Sequence, residues 1–383
     1  MNDPRSTKEK EPQMRIARSR EDRAPSPSRR SLLGASAGLG AVLGVASPLG
    51  LSQSWAAPSP TGERASAAAA DDDGRDSGPL LPVPLVDEVA RMGPHGCEGM
   101  VFDAAGRLFM SNTQGTEILL IGMDGAVSEW TRAVRAPNGH KVLADGTHLV
   151  AQMGPPGALV WLDADGTVLR VIDRDDRGRA LRAANDVAVD PRTGGAYVTD
   201  PGPFAGGLPG RLYYLPHPRA ELITVVDEEG EGDVGVLDYP NGLALTPDRR
   251  ALLVSESGRN RIIRFALPEP GRPMDPRVFA RLPSQPNTWT SGEAQPDGLA
   301  FDTEGRLFVA HFGTGLVRVR DRYGRDLGSL DSRTPCITNF AFGGPDMDQL
   351  FVTAHLGTSL SDPGPAVVMR MRLPGIEGLR LLP

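Results

Sequence analysis

The sequence predicts an all-β fold, a six-bladed β-propeller preceded by an N-terminal export signal and a disordered linker. Three observations carry that expectation. One phrase recurs six times between Glu98 and His355: a carboxylate or Asn, a short apolar run, a turn containing Asp or Gly, and a second apolar run. Helical periodicity is absent throughout the repeats. The composition agrees, since 46 Gly and 35 Pro among 383 residues describe a turn-rich chain, and 39% hydrophobic residues can fill a core.

The elements follow in chain order. Arg29-Arg30 stands directly before an uncharged Gly/Ala/Leu-rich run from Leu32 to Leu51, which reads as a twin-arginine export signal. Ser54-Trp55-Ala56-Ala57 offers small residues for signal peptidase, so residues 1–56 are expected to be removed in an oxidising, periplasmic or extracellular compartment. An uncleaved membrane anchor is the other reading, but Pro48 and the glycines dilute the run below the apolarity of a span. Stable membrane association after cleavage is not expected. Residues 57–79, with Ala67–Ala70 and Asp71-Asp72-Asp73, cannot bury apolar surface and read as a disordered linker. Residues 80–383 are the expected propeller.

Its six phrases open at Glu98, Asn138, Asn185, Asn241, Asp297 and Asn339. Each is of hairpin composition, and a further strand-like run such as Ala158–Leu162 or Leu316–Val319 follows each of the first five. Four short strands in roughly 40–56 residues make one propeller blade, whereas solenoid repeats are shorter and more even. Val83–Met92 and Ala366–Leu373 are expected to pair in the closing blade and remove the free sheet edges.

Charge narrows the partners. Residues 1–56 hold nine Lys/Arg against five Asp/Glu, which leaves 32 against 43 for the remainder. A body that acidic argues against nucleic acid and suits a cation. Two cysteines exclude a disulfide scaffold and a multi-cysteine zinc site. Cys97 and Cys336 fall in repeats that a closed ring makes neighbours, so they are either a bridge across the closure or, the commoner state, two separate buried thiols.

In a propeller the innermost strands border a central channel, so the six phrase heads should form a ring of oxygen acceptors. One Asn or Asp before Gly is ordinarily a turn residue; six at equivalent places suit a hard divalent cation, with calcium the best match to carboxylate and carboxamide oxygens. His140 offers an imidazole beside the ring, for substrate contact, a proton shuttle or a structural role. His311 and His355 end second strands and read as structural.

The phrases Ala184-Asn185-Asp186-Val187-Ala188-Val189, Tyr239-Pro240-Asn241-Gly242-Leu243, Gln295-Pro296-Asp297-Gly298-Leu299 and Thr338-Asn339-Phe340-Ala341-Phe342 resemble those of the SMP-30/gluconolactonase/LRE-like family of six-bladed propellers. The resemblance covers about residues 83–373. It implies a channel cation held by Glu98, Asn185, Asn241 and Asp297, with Asp297 also the proton donor and acceptor. Asn138, His140 and Asn185 are the candidate substrate contacts. Ala183 and Pro203 stand where sugar lactonases of the animal type carry an Arg and a Glu for substrate, so the resemblance does not extend to those enzymes' substrate.

The implied activity is hydrolysis of a small lactone or ester, with the cation polarising the carbonyl and Asp297 taking a proton from water. The absence of a Gly-x-Ser-x-Gly elbow leaves a serine nucleophile unsupported. Two other readings remain: a noncatalytic ligand-binding or scaffolding propeller with a structural calcium, and a phosphotriesterase-like or arylesterase activity.

Overall fold

The computed structural model describes residues 81–203, 207–230, 234–290 and 292–380. The expected signal and linker therefore lie outside the described residues. The described chain forms six antiparallel sheets, and the inner strands of consecutive sheets pack against one another in sequence order. This is the six-bladed arrangement that the repeats predict.

The chain enters through β1 (Leu85–Met92), which belongs to the last blade. Blade 1 is β2 (Glu98–Phe102), β3 (Leu108–Ser111), β4 (Ile118–Ile121) and β5 (Val127–Thr131). Blade 2 is β6 (Pro137–Val142), β7 (His148–Gln152), β8 (Ala158–Leu162) and β9 (Val168–Ile172). Blade 3 is β10 (Val187–Val189), β11 (Ala196–Asp200), β12 (Pro209–Leu215) and β13 (Ile223–Val226), with the short β14 (Leu237–Asp238) on the start of β12. Blade 4 is β15 (Pro240–Leu245), β16 (Ala251–Glu256), β17 (Arg261–Ala266) and β18 (Met274–Arg281). Blade 5 is β19 (Gln295–Phe301), β20 (Leu307–Phe312), β21 (Leu316–Arg320) and β22 (Asp326–Asp331). Blade 6 is β23 (Cys336–Gly343), β24 (Gln349–His355) and β25 (Ala366–Arg372), completed by β1.

The closure is the pairing expected of the two flanking runs. β1 lies antiparallel on β25, with Leu85 opposite Arg372 and Met92 opposite Ala366. The sheet edge that each would expose alone is thus removed. Asp87 receives both Arg370 and Arg372 across that pair. Core sits between blades, where buried faces of adjacent sheets meet: Phe308, Val319, Phe340 and Val352 join blades 5 and 6, and Leu212, Leu243, Val254 and Phe265 join blades 3 and 4. The outermost strands are largely exposed, as the pattern of Val168–Ile172 shows.

Candidate active site at the heads of the inner strands

Five of the six inner strands carry an irregularity at the head. In blades 1, 2, 4, 5 and 6 the register to the second strand shifts between Glu98 and Val101, Pro137 and His140, Pro240 and Leu243, Pro296 and Leu299, and Ile337 and Phe340. A bulge leaves two residues unpaired and re-aims their side chains. The bulged residues include the phrase heads Asn138, Asn241, Asp297 and Asn339, while Glu98 stands at the lip of its bulge. In blade 3, Asn185 and Asp186 precede β10, held by Asn185 N to Thr199 O (2.8 Å) and Thr199 N to Asp186 O (3.1 Å).

Adjacent heads touch around the ring. A Cβ on Gly99 would lie 1.9 Å from Asn138 O, one on Gly139 2.4 Å from Asp186 Cα, and one on Gly242 2.2 Å from Asp297 O. Only glycine permits those approaches. The Asn339 Nδ2 donates to Glu98 Oε2 at 2.9 Å, joining blade 6 to blade 1. Thr199 Oγ1 donates to Asn241 O (2.8 Å) and Ser255 Oγ to Asp297 O (2.7 Å), so a hydroxyl from one blade's second strand pins the next blade's head. The Asn241 amide is hydrogen-bonded to Asp297.

The heads thus form a closed, oxygen-rich ring. Asn138, Asn185, Asp297 and Asn339 are buried, and Glu98 and Asn241 are partly exposed. Burial pushes the Asp297 carboxyl well above the ordinary carboxylate range, and the charges of Glu98 and Asp186 push it the same way. Burial likewise raises Glu98 to about 7; the Asn339 hydrogen bond opposes this, Asp186 adds to it, and Lys141 opposes it. Three carboxylates therefore share one desolvated region with Lys141 as the cation beside them, its Nζ 3.9 Å from Asp186 Oδ1.

That environment is short of positive charge and of hydrogen-bond donors. Asn185 Oδ1 and Asp297 Oδ1 are buried acceptors without a hydrogen-bond partner, which is costly unless something else satisfies them. Among the described residues, no three His, Cys, Asp or Glu side chains alone form a metal-holding group; the oxygen set here depends on carboxamides as well. Its chemistry, two carboxylates with carboxamide oxygens and no imidazole or thiolate, fits a hard divalent cation.

The ring gathers Glu98, Asn138, Asn185, Asn241 and Asp297, and it does not gather His140. That imidazole is fully buried between blades 1 and 2, with Nε2 2.8 Å from His148 Nδ1 and the rings of Phe109 and Trp130 packed on it. The imidazole thus packs into the interface of blades 1 and 2. His311 takes a hydrogen bond from Arg318 Nε (3.2 Å), and His355 packs on Trp289. Cys97 and Cys336 are free, buried thiols, the Cys97 Sγ lying 3.2 Å from His355 Nε2.

Three residues near the ring carried no role in the sequence reading. Asp186 follows a head and adds the third carboxylate. Lys141 is its counter-charge. Tyr239 precedes Pro240 in a left-handed conformation (φ 53°), and burial together with Asp297 and Glu98 pushes its phenol pKa up, so it stays protonated. A non-glycine residue with φ in that region stores strain and is characteristic of functional sites. In front of Asn185, the Asp200 carboxylate accepts from Arg182 N and Ala183 N (2.9 Å each) and from the Tyr213 hydroxyl (3.2 Å), which fixes the approach to the head.

A six-bladed propeller whose inner strands present a ring of oxygen donors at one end of the channel is the class that this fold and site define. The chain belongs to the SMP-30/gluconolactonase/LRE-like family, whose sequence profile matches residues 96–356. It is 33% identical over 207 residues to the pentonolactonase XacC of Haloferax volcanii, an alignment covering 52% of this chain and 65% of that protein. It is 29% identical over 248 residues to the lactonase drp35 of Staphylococcus saprophyticus, covering 63% and 71%. The chain therefore spans just under two thirds of the first relative's length. Among solved structures, a gluconolactonase from Xanthomonas campestris superposes with a TM-score of 0.58 at 26% identity, covering 78% of this chain and 99% of that one. Regucalcin, a calcium-binding protein from Agrobacterium tumefaciens, superposes with a TM-score of 0.59 at 20% identity, covering 76% and 95%, a likeness of fold.

Proposed function

We propose that this protein is an exported, divalent-cation-dependent hydrolase of small lactones, with calcium the best-suited ion. The observation that carries the reading is the meeting of Glu98 and Asp297 with Asn185 and Asn241 around buried, unsatisfied oxygens. The named lactonase relatives support the reaction class, and the twin arginine supports export.

Glu98, Asn185, Asn241 and Asp297 would hold the cation, which when bound supplies Lewis acidity toward a carbonyl oxygen. The chain's own residues do the rest. Asp297, freed of its proton, accepts one from the attacking water through its carboxylate oxygen. Asn241 orients that carboxylate, and Ser255 holds its backbone. Asn339 aims Glu98 inward. Tyr239 is kept protonated by burial and by the nearby charges of Asp297 and Glu98. Asn138 and Asn185 border the space that a substrate would occupy.

The test is a panel of aldonolactones and simple esters incubated with the purified protein, before and after chelation. Turnover that disappears with chelator and returns with calcium is the expected result. Turnover indifferent to chelation would overturn cation dependence, and calcium stabilisation without any turnover would favour a noncatalytic binding propeller.

A further inference from the structure

Four residues beyond the oxygen ring in blades 1 to 5, and three in blade 6, the same inner strands build a second ring of opposite character. Phe102, Val142, Val189, Leu245, Phe301 and Phe342, one from each blade, line a cavity of about 700 Å³. At about 3.3 Å per strand residue this lies roughly 13 Å down the strands from the heads. The volume is that of a small-ligand site, and such sites are mostly apolar with a few placed polar groups.

The polar groups here are chiefly cationic. Arg249, Arg370 and Arg380 line the cavity with Lys141, and Asp103 is the one acidic residue among those lining it. Most of these are engaged: Arg107 takes Asp103 (2.6 Å), Asp87 takes Arg370 (2.5 Å), Pro345 O takes Arg380 (2.9 Å), and Lys141 leans on Asp186. Arg249 differs. Its Nη1 is buried without a hydrogen-bond partner; the Asp190 carboxylate, which shares a neighbouring cavity with Arg249, is the acidic group whose charge acts on it.

Backbone conformation singles out the same residue independently. The turn between first and second strands ends in a left-handed position, filled by Gly106, Gly146 and Gly305 in blades 1, 2 and 5, each with its N–H on the carbonyl three residues earlier. In blade 4 that position is Arg249 (φ 61°, N to Thr246 O 2.8 Å), and in blade 6 it is Met347 (φ 54°, N to Gly344 O 3.2 Å). Both side chains line the cavity. Where glycine serves the turn elsewhere, the two blades that forgo it place a cation and an adaptable thioether against the apolar space.

We propose that this cavity binds an amphiphilic monoanion, an acyl-chain carboxylate whose chain lies against the six-residue apolar ring and whose carboxylate pairs with Arg249. The pair would be charge-assisted and suited to a bidentate fork. The lining approaches the oxygen ring through Lys141, Leu243, Leu299 and Phe340, but Arg249 and the apolar ring stand farther along the strands, and the proposal holds whether or not the oxygen ring hydrolyses lactones.

Isothermal titration of the full chain with decanoate, decan-1-ol and acetate tests it. Decanoate should bind, with decan-1-ol and acetate each weaker by about tenfold or more. Arg249→Gly suits the left-handed turn and should fold at least as well, yet weaken decanoate by about tenfold or more. Asp297→Asn should leave decanoate affinity unchanged. The proposal falls if decanoate gives no binding, if decan-1-ol or acetate matches it, or if Arg249→Gly binds like the wild type. It falls equally if Asp297→Asn abolishes binding, which would put the ligand at the other end of the channel.

Discussion

Asp297 combines an unpartnered oxygen with two acidic neighbours, and its amide partner Asn241 comes from the preceding blade. Replacing it by Asn keeps an oxygen ligand and the fold but removes the proton acceptor. Turnover of Asp297→Asn should fall by about 10²–10⁴-fold with unchanged circular dichroism; a variant retaining a tenth of wild-type turnover would move the base elsewhere. The six heads were legible because a repeat converts sequence position into spatial equivalence. Asp186, Lys141 and Tyr239 were not, since each stands beside a repeated position without repeating itself. His140 stands two residues after Asn138, and that closeness in sequence suggests a place beside the ring. The bulge between Pro137 and His140 breaks the two-residue alternation there, and the imidazole turns into the interface of blades 1 and 2.

At the scale of the strand, first and second strands and most third strands were legible as buried apolar runs. Apart from β1, the fourth strands were not: Val127–Thr131 and Asp326–Asp331 face solvent over most of their length, so neither composition nor alternation marks them. The bulges were equally hidden, although the glycine after four of the heads is their trace. Gly242 allows blade 4 to approach blade 5, and a Cβ there would meet the backbone oxygen of Asp297 at 2.2 Å. Gly242→Ala must push those inner strands apart. A loss of roughly 1–3 kcal/mol by denaturant titration is expected, together with weakened calcium binding by calorimetry. Wild-type stability and affinity in this variant would contradict the packing of the ring.

For the whole molecule, two sets of buried groups set the response to pH. His148, His311 and His355 are held down to about 4 from an ordinary 6.5, burial being the first cause in each. The unfolded chain therefore takes up protons that the folded chain refuses, so their stabilisation is complete above pH 6.5 and is lost as pH falls towards 4. Glu98, raised from 4.5 to about 7, acts oppositely, as does Asp297. The Glu98 contribution is present below about 4.5 and is lost as pH rises through 7, and that of Asp297 is likewise lost as pH rises. Calcium would offset that second loss, and its binding must release the carboxylate protons. Calcium should therefore raise Tm more at pH 8 than at pH 5, and the calcium-loaded protein should lose stability steadily below pH 6.5. Equal calcium shifts at both pH values in scanning calorimetry would argue that Glu98 and Asp297 are not ligands.

The pairing of β1 with β25 also governs the order of assembly. Asp87 and Arg370 are 283 residues apart in the chain, whereas most strand pairs in the blades are successive hairpins. Local hairpins form fast, and contacts of high sequence separation form late because the loop entropy must be overcome first. During synthesis β1 emerges early and has no partner until β25 follows. The first five blades can gather hairpin by hairpin, but the circle is completed by one long-range event that joins the two ends of the domain.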